Sequence, residues 1–409
     1  MLEKLRKHNQ LILLAILLLS GASVILNFVS APQARTFFYI SSYVSILSLI
    51  INWRRTPAPL LISIAAILAL VGLSKYIWFI AEYLGNPDYN QYNPYYNTGK
   101  RLLLGAVIAW SAFSLKDYLT EKHKKYIRFA LFAAFALASA IGCYQIAMHP
   151  GQRTDFFLGY ATDSAYMYSA VALLTIIVLD QHKSLVAKLL MAACFIVAFF
   201  ILFKTGTRNV LLFFPLVLIV SLIVWKKNFL KTLSIAVLAI VIAFVAAYKP
   251  IIEQKINTTE AEIDRYSQHD GNQSGSLTAR FAMWEVGYHA FLAHPWGMSF
   301  EQREKFAKDY TQETQSNKSA LRYIDVHLHN EVIDTATLQG IPGVIIMLLA
   351  YLILLNYAIR TRSAKFLGLT FIIITVGFTD VIFISREQSI FFAQLFILVA
   401  FLSPPPRQE

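Results

Sequence analysis

The stretch NQLILLAILLLSGASVILNFV, residues 9–29, decides the fold. It carries no charged side chain, and at about 1.5 Å per residue its length matches the ~30 Å hydrocarbon core of a bilayer. It is longer and more apolar than a signal-peptide core, with no small-residue cleavage site, so it reads as a retained membrane span. Similar runs recur along nearly the whole chain. Of 409 residues, 57% are hydrophobic and 15% charged, against roughly 45–50% and about 25% in ordinary globular proteins. Irregular backbone cannot face lipid, so these runs are expected to be helices. The fold class is therefore an all-α polytopic membrane protein with about twelve transmembrane helices. The spans fall near residues 9–29, 36–52, 58–80, 101–116, 126–148, 163–180, 186–203, 209–225, 232–248, 338–359, 366–385 and 388–403. They make one membrane domain, residues 1–409, interrupted by a long polar loop region at 249–339.

The net charge of +12 follows topology. Lys and Arg gather in MLEKLRKH, WRRTP, KDYLTEKHKK, DQHKS, WKKNFLK and RTRSAK, which all fall on one side if the N-terminus is cytoplasmic. That is the positive-inside pattern, and it gives no reason to expect a nucleic-acid partner. Both termini then lie in the cytoplasm, and the 249–339 region, partly helical, lies outside. Cys143 and Cys194 fall within spans, where a thiol behaves as a small hydrophobe and no disulfide framework is suggested. No Walker loop, CxxC pair, HExxH or Asp-x-Asp occurs, so ATP hydrolysis and zinc chemistry find no support.

Candidate chemistry crowds the outer side. In VHLHNEVIDTATLQGIPGV, residues 326–344, two histidines stand among acidic groups at the mouth of an apolar run. If the segment is helical, Asp325 lies one turn before His329 and could fix its tautomer, while Gly340 and Gly343 return to nearly the same face as a close-packing stripe. The alternative is an interfacial histidine with a glycine packing seam. His327 could replace His329 if the segment is not helical. In KTGTRN, residues 204–209, Lys204 and Arg208 either bind phosphate, with Gly206 letting backbone approach, or snorkel to lipid headgroups. Arg280 leads an amphipathic helix, and Asp380 is an intramembrane carboxylate that needs a partner: Arg280, Arg386, a substrate hydroxyl, or a packing bond to Thr379 or a tyrosine. Tyr83, Tyr89, Tyr92, Tyr95 and Tyr96 form either a sugar-stacking surface or an interfacial aromatic belt.

His329-Asn330, nine residues, then Gly340 and Gly343 follow H-[NSQ]-x9-G-x2-[GTY], and the chain resembles the O-antigen ligases of Gram-negative bacteria. Its size, its dozen or so spans, its long outward loop and the arginine after the seventh span are similar to that family. So are Arg280, Trp284, Pro295 and Gly297 as R-x3-W followed by P-x-G, a feature shared with O-antigen polymerases and protein O-oligosaccharyltransferases. The resemblance implies a GT-C-type architecture in the bacterial inner membrane with a periplasmic active site. It also implies transfer of an undecaprenyl-diphosphate-linked O-antigen to a sugar hydroxyl of the lipid A core oligosaccharide, without metal or nucleotide and with inversion. His329 would be the general base, Arg208 and Arg280, with Lys204, the diphosphate ligands, and Asn330 and Asp380 supporting groups that position the acceptor. The nearest alternative is an O-antigen polymerase, and a more distant one is a lipid-linked oligosaccharide flippase, whose charges would cluster near the bilayer midplane.

Overall fold

The computed structural model describes residues 2–85, 93–180, 184–224, 241–242, 245, 249–273 and 275–405, and among them every regular element is a helix. In the first half these are α1 (Leu2–Leu26), α2 (Ala31–Ile51), α3 (Pro59–Tyr83), α4 (Asn93–Ser114), α5 (Glu121–Met148), α6 (Ala161–Leu179), α7 (Leu185–Thr205) and α8 (Arg208–Ile223). Then come α9 (Lys249–His269), α10 (Ser276–Ala293), α11 (Phe300–Thr314), α12 (Glu331–Thr361), α13 (Ala364–Gly377) and α14 (Arg386–Phe401). Seven of them, α1 from Arg6, α2, α3, α5, α6, α7 and α12, are long and apolar enough to cross a membrane, and α8 and α13 are shorter apolar helices. The chain is thus a multi-pass helical membrane protein. The ninth expected span, 232–248, lies outside the described residues save 241, 242 and 245, as do Tyr89 and Tyr92.

α6 organises the bundle. Every residue from Ser164 to Leu179 is buried, as a helix apolar on all sides must be when neighbours enclose it, and α5, α7, α8 and α13 surround it. A smaller apolar cluster joins Ala282, Met283 and Val286 of α10 to Ala307 of α11 and to Ile324 and Leu328 of the following loop. A third, aromatic cluster joins Trp78, Phe79 and Tyr83 of α3 to Tyr95, Phe300 and Leu338. These two clusters fasten the layer of α10 and α11 to the membrane helices.

α12 is broken at Gly340, where φ is 64° and ψ −158°, backbone open to glycine alone. The 295–298 chain crosses the break: Ile341 N donates to the Pro295 carbonyl at 2.8 Å, and Met298 N to the Leu338 carbonyl at 3.2 Å. A Cβ on Gly340 would stand 2.4 Å from the Trp296 carbonyl carbon, and one on Gly297 2.4 Å from the Leu338 oxygen. The expected stripe of Gly340 and Gly343 on one unbroken face is therefore corrected, because helical periodicity does not carry across a residue with positive φ. Gly343 instead makes room for Gln339 and Thr335 of its own helix. Gly340→Ala combines backbone strain with overpacking and is expected to cost about 2–5 kcal/mol. Thermal melting of the detergent-purified protein measures this, and an unchanged melting temperature would contradict it.

Candidate active site

The backbone between a 3-10 turn, Lys318–Arg322, and α12 is irregular. Its shape is set by polar groups that catch each backbone atom in turn. Arg303 donates to the Ile324 carbonyl at 2.8 Å, Leu328 N donates to Asp334 Oδ1 at 3.1 Å, and Trp284 Nε1 donates to the carbonyls of Leu328 and His329 at 3.1 and 3.2 Å. Asn330 then caps α12, its Oδ1 accepting from Val332 N and Ile333 N at 3.0 and 3.1 Å. Such a side chain supplies orphan N–H groups with a partner. The same side chain donates through Nδ2 to the Phe378 carbonyl at 3.1 Å, tying this loop to the turn after α13. His329, just ahead of the cap, is left with φ at 49°, a region few histidines occupy.

Tied in this way, the two loops bring His329 Nδ1 to 3.0 Å from Asp380 Oδ1. The carboxylate is held from other directions by Tyr166 Oη, which donates to Oδ2 at 2.9 Å, and by Val381 N, which donates to Oδ1 at 2.9 Å. Burial pushes the Asp380 carboxyl up, but the His329 hydrogen bond and the fields of His327, His329 and Arg280 outweigh it and hold it well below the usual carboxylate range. With Asp380 ionised, His329 donates from Nδ1 and presents the Nε2 lone pair, the tautomer a base needs. His327 plays another part. Its Nδ1 accepts the His329 backbone N–H at 3.2 Å, so its contact with Asp380 at 4.0 Å is no ion pair. Burial, with His329 beside it, pushes this imidazole down to about 4 against the opposing pull of Asp380 and Asp334. Ligand atoms of His327, His329 and Asp380 lie within 4.8 Å of one another, a spacing a metal could bridge. Here two of the three are joined by a hydrogen bond and the third accepts from backbone, a donor set suited to holding a proton.

Beside this pair lies a cavity of about 550 Å³ whose wall includes Arg153, Arg208, Arg280, Trp284, Asn209 and Thr379. Asn209 Nδ2 donates to Tyr166 Oη at 3.1 Å and Thr379 Oγ1 at 2.6 Å, so wall and pair share one network. Gly206, with φ at 68°, ends α7, and a Cβ there would stand 3.1 Å from Arg153 Nε. This close approach lets Arg153 lie across the turn and donate to the Thr205 carbonyl at 2.7 Å. Arg208 opens α8 and donates to Thr259 Oγ1 of α9 at 2.9 Å, with Glu262 at 3.6 Å. Lys204 does not line this cavity; its ammonium sits 5.7 Å from the Phe200 ring centroid. Lys255 faces the same turn, its ammonium pushed down by burial and by the charges of Arg208, Arg153 and Lys204. An apolar cavity of about 350 Å³, lined by Phe199, Phe203, Leu211, Ile252 and Ile256, adjoins the first and shares Arg208 and Thr259 with it.

The pairing of Asp325 with His329 is corrected. It needed a helix through both residues, but α12 begins only at Glu331, and the carboxylate on His329 is Asp380. Asp380 in turn lies beyond α13 rather than inside a span reaching 385, because carboxylates take the backbone there: Asp380 accepts Val381 N and Glu331 accepts Phe383 N at 2.9 Å. Sequence reasoning passed over Arg153, Lys255, Tyr166, Asn209 and two buried ion pairs. Lys75 Nζ lies 3.1 Å from Glu331 Oε1, and Arg303 Nη1 lies 2.9 Å from Asp334 Oδ1, all nearly without solvent contact. Lys75 had a signal of its own, a lysine in the middle of an apolar run. The others become visible only when distant loops meet.

Fold and site together define a multi-pass membrane protein with a histidine–carboxylate pair beside a cationic cavity. Residues 193–348 match the family model described as O-antigen ligase. Over 384 residues, 92% of this chain and 90% of the other, it is 28% identical to an O-antigen ligase of Escherichia coli K12. The chain is thus similar to O-antigen ligases over most of its length. The matched segment holds Arg208, Arg280 and His329, while Asp380 lies beyond it.

Proposed function

We propose that this protein is an O-antigen ligase that transfers a glycan from undecaprenyl diphosphate to a sugar hydroxyl of lipid A core. The observation that carries the reading is the His329–Asp380 pair, at 3.0 Å, beside a cavity lined by three arginines. Arginine forks suit diphosphate oxygens, and the adjoining apolar cavity suits an isoprenoid tail. In the reaction, the acceptor oxygen attacks the anomeric carbon while its proton passes to His329 Nε2. The bond from that carbon to the diphosphate oxygen breaks on the opposite face, so the centre inverts. Charge growing on the departing diphosphate is met by Arg208 and Arg280, with Arg153 and Lys255 adding to the field, a gain largest in the transition state. Asn330 holds the His329 loop against the Asp380 turn, and Lys204 adds its charge beside Lys255. No step requires a metal.

Around this site we place about twelve crossing helices in a GT-C-type arrangement in the inner membrane, with cytoplasmic termini, the 249–339 region in the periplasm and the site on that side. The test is glycan transfer in membranes of a ligase-deficient strain supplied with both lipid-linked substrates. Wild type should transfer, His329→Ala should lose about 10²–10⁴-fold, and Arg208→Ala about 10²–10³-fold at matched expression. Joining of donor glycans to one another, with none reaching lipid A core, would assign the protein as a polymerase instead.

A further inference from the structure

We infer that the groove between α1 and α5 is a binding site for an anionic phospholipid, with one acyl chain along the groove and the phosphate on Lys122 and Lys125. The groove has a volume of about 580 Å³, and apart from these two lysines and Tyr126 its lining is aliphatic or phenyl: Leu17, Leu18 and Ile25 from α1, Phe129 and Ala130 from α5. α1 and α5 meet closely at Gly21, where a Cβ would stand 2.9 Å from the Ala130 Cβ, and the groove runs alongside this contact. Leu18 and Phe129 are exposed, although both lie on helices apolar enough to cross a bilayer.

The charge at one end selects the occupant. Glu121 is taken by Lys124 at 2.7 Å and Arg128 at 3.5 Å, and Lys122 and Lys125, both exposed, meet no carboxylate among the described residues. Lys122 rests 5.9 Å from the Tyr126 ring centroid, its ammonium at the groove end. A tail-shaped apolar groove with two uncompensated ammonium groups at its mouth complements an anionic head on a long chain. The site is separate from the cavity of Arg208. Arg153 follows the far end of α5, a helix of 28 residues, so the two cationic ends lie about 40 Å apart. Polybasic clusters next to the membrane hold anionic headgroups in this way, at about fivefold in affinity per lysine.

The experiment titrates the delipidated, full-length protein in detergent with phosphatidylglycerol, phosphatidylcholine of the same chains, and inorganic phosphate. It follows the melting temperature, with native mass spectrometry counting bound lipid. Phosphatidylglycerol should raise the melting temperature saturably and remain bound, whereas phosphatidylcholine and phosphate should not. Lys122→Gln with Lys125→Gln should need roughly thirtyfold more phosphatidylglycerol, and Ala22→Phe, which fills the groove, should remove the bound lipid without touching the lysines. Equal effects of the two phospholipids, a response to phosphate alone, or a double variant that titrates as wild type would each overturn the inference.

Discussion

Asp380→Asn is expected to reduce glycan transfer by about 10³–10⁴-fold while the protein still folds and inserts. The amide keeps the shape of the carboxylate, and with its oxygen toward Tyr166 that hydroxyl retains an acceptor, while Val381 N, which shares Oδ1 with His329, gives one up. Facing His329 Nδ1, however, it can present N–H. The imidazole then moves its own proton to Nε2, the atom that must accept from the substrate, and the negative charge that stabilises the imidazolium is gone. Losses of this order accompany the same exchange in histidine–aspartate catalytic pairs. The check is initial rates in membranes at matched expression, with His327→Ala alongside. His327 accepts only a backbone N–H, so its loss is expected to cost less than about tenfold. If Asp380→Asn stays within a few-fold of wild type, the tautomer argument fails and His329 is a binding group.

The second large effect concerns stability. Asp334→Ala is expected to cost about 3–5 kcal/mol, because it strands the buried Arg303 guanidinium. Two further interactions go with it: Leu328 N and Tyr95 Oη lose their acceptor. Arg303→Met alone should cost a similar amount by leaving the carboxylate unpaired. The double variant Arg303→Met with Asp334→Leu should cost clearly less than the sum, since no charge is then left buried alone. Melting temperatures of the three variants in one detergent decide it, and strictly additive losses would mean that the pair is not coupled.

Much of this architecture could be read from the chain before any coordinates, because bilayer solvation leaves a strong imprint: a run that must hide its backbone has to be helical and apolar for about twenty residues. That physics places α2, α3, α5 to α8 and α14 within about five residues, while α1, α4 and α12 begin seven or eight residues earlier than expected and α13 ends eight residues sooner. It fails wherever side chains rather than helical periodicity satisfy the backbone. Asn330 caps α12 five residues after Asp325, which detaches Asp325 from the helical spacing that linked it to His329. Gly340 breaks the helix on which its own stripe was counted. Asp380 stood out as a carboxylate in need of a partner, and Tyr166 turns out to supply the unspecified tyrosine bond weighed for it, yet His329 was hidden by a separation of 51 positions. Arg153 reaches the Thr205 carbonyl only because Gly206 lets one loop cross another.

The break in α12 also divides that helix mechanically. Its first segment, from Glu331 to Gln339, is bound through Asp334, Glu331 and Leu338 to α11, α3 and the 295–298 chain. Its second, from Ile341 to Thr361, exposes Ile345, Leu348 and Leu352 on its outer face, where acyl chains would pack. Gly340 separates them, and the 295–298 chain bonds to both sides of it through Leu338 and Ile341, so the helical backbone does not run unbroken from the lipid-facing segment to the His329 loop. The loop that carries His329 is thus anchored to α3, α11 and the 295–298 chain rather than to the lipid-facing segment.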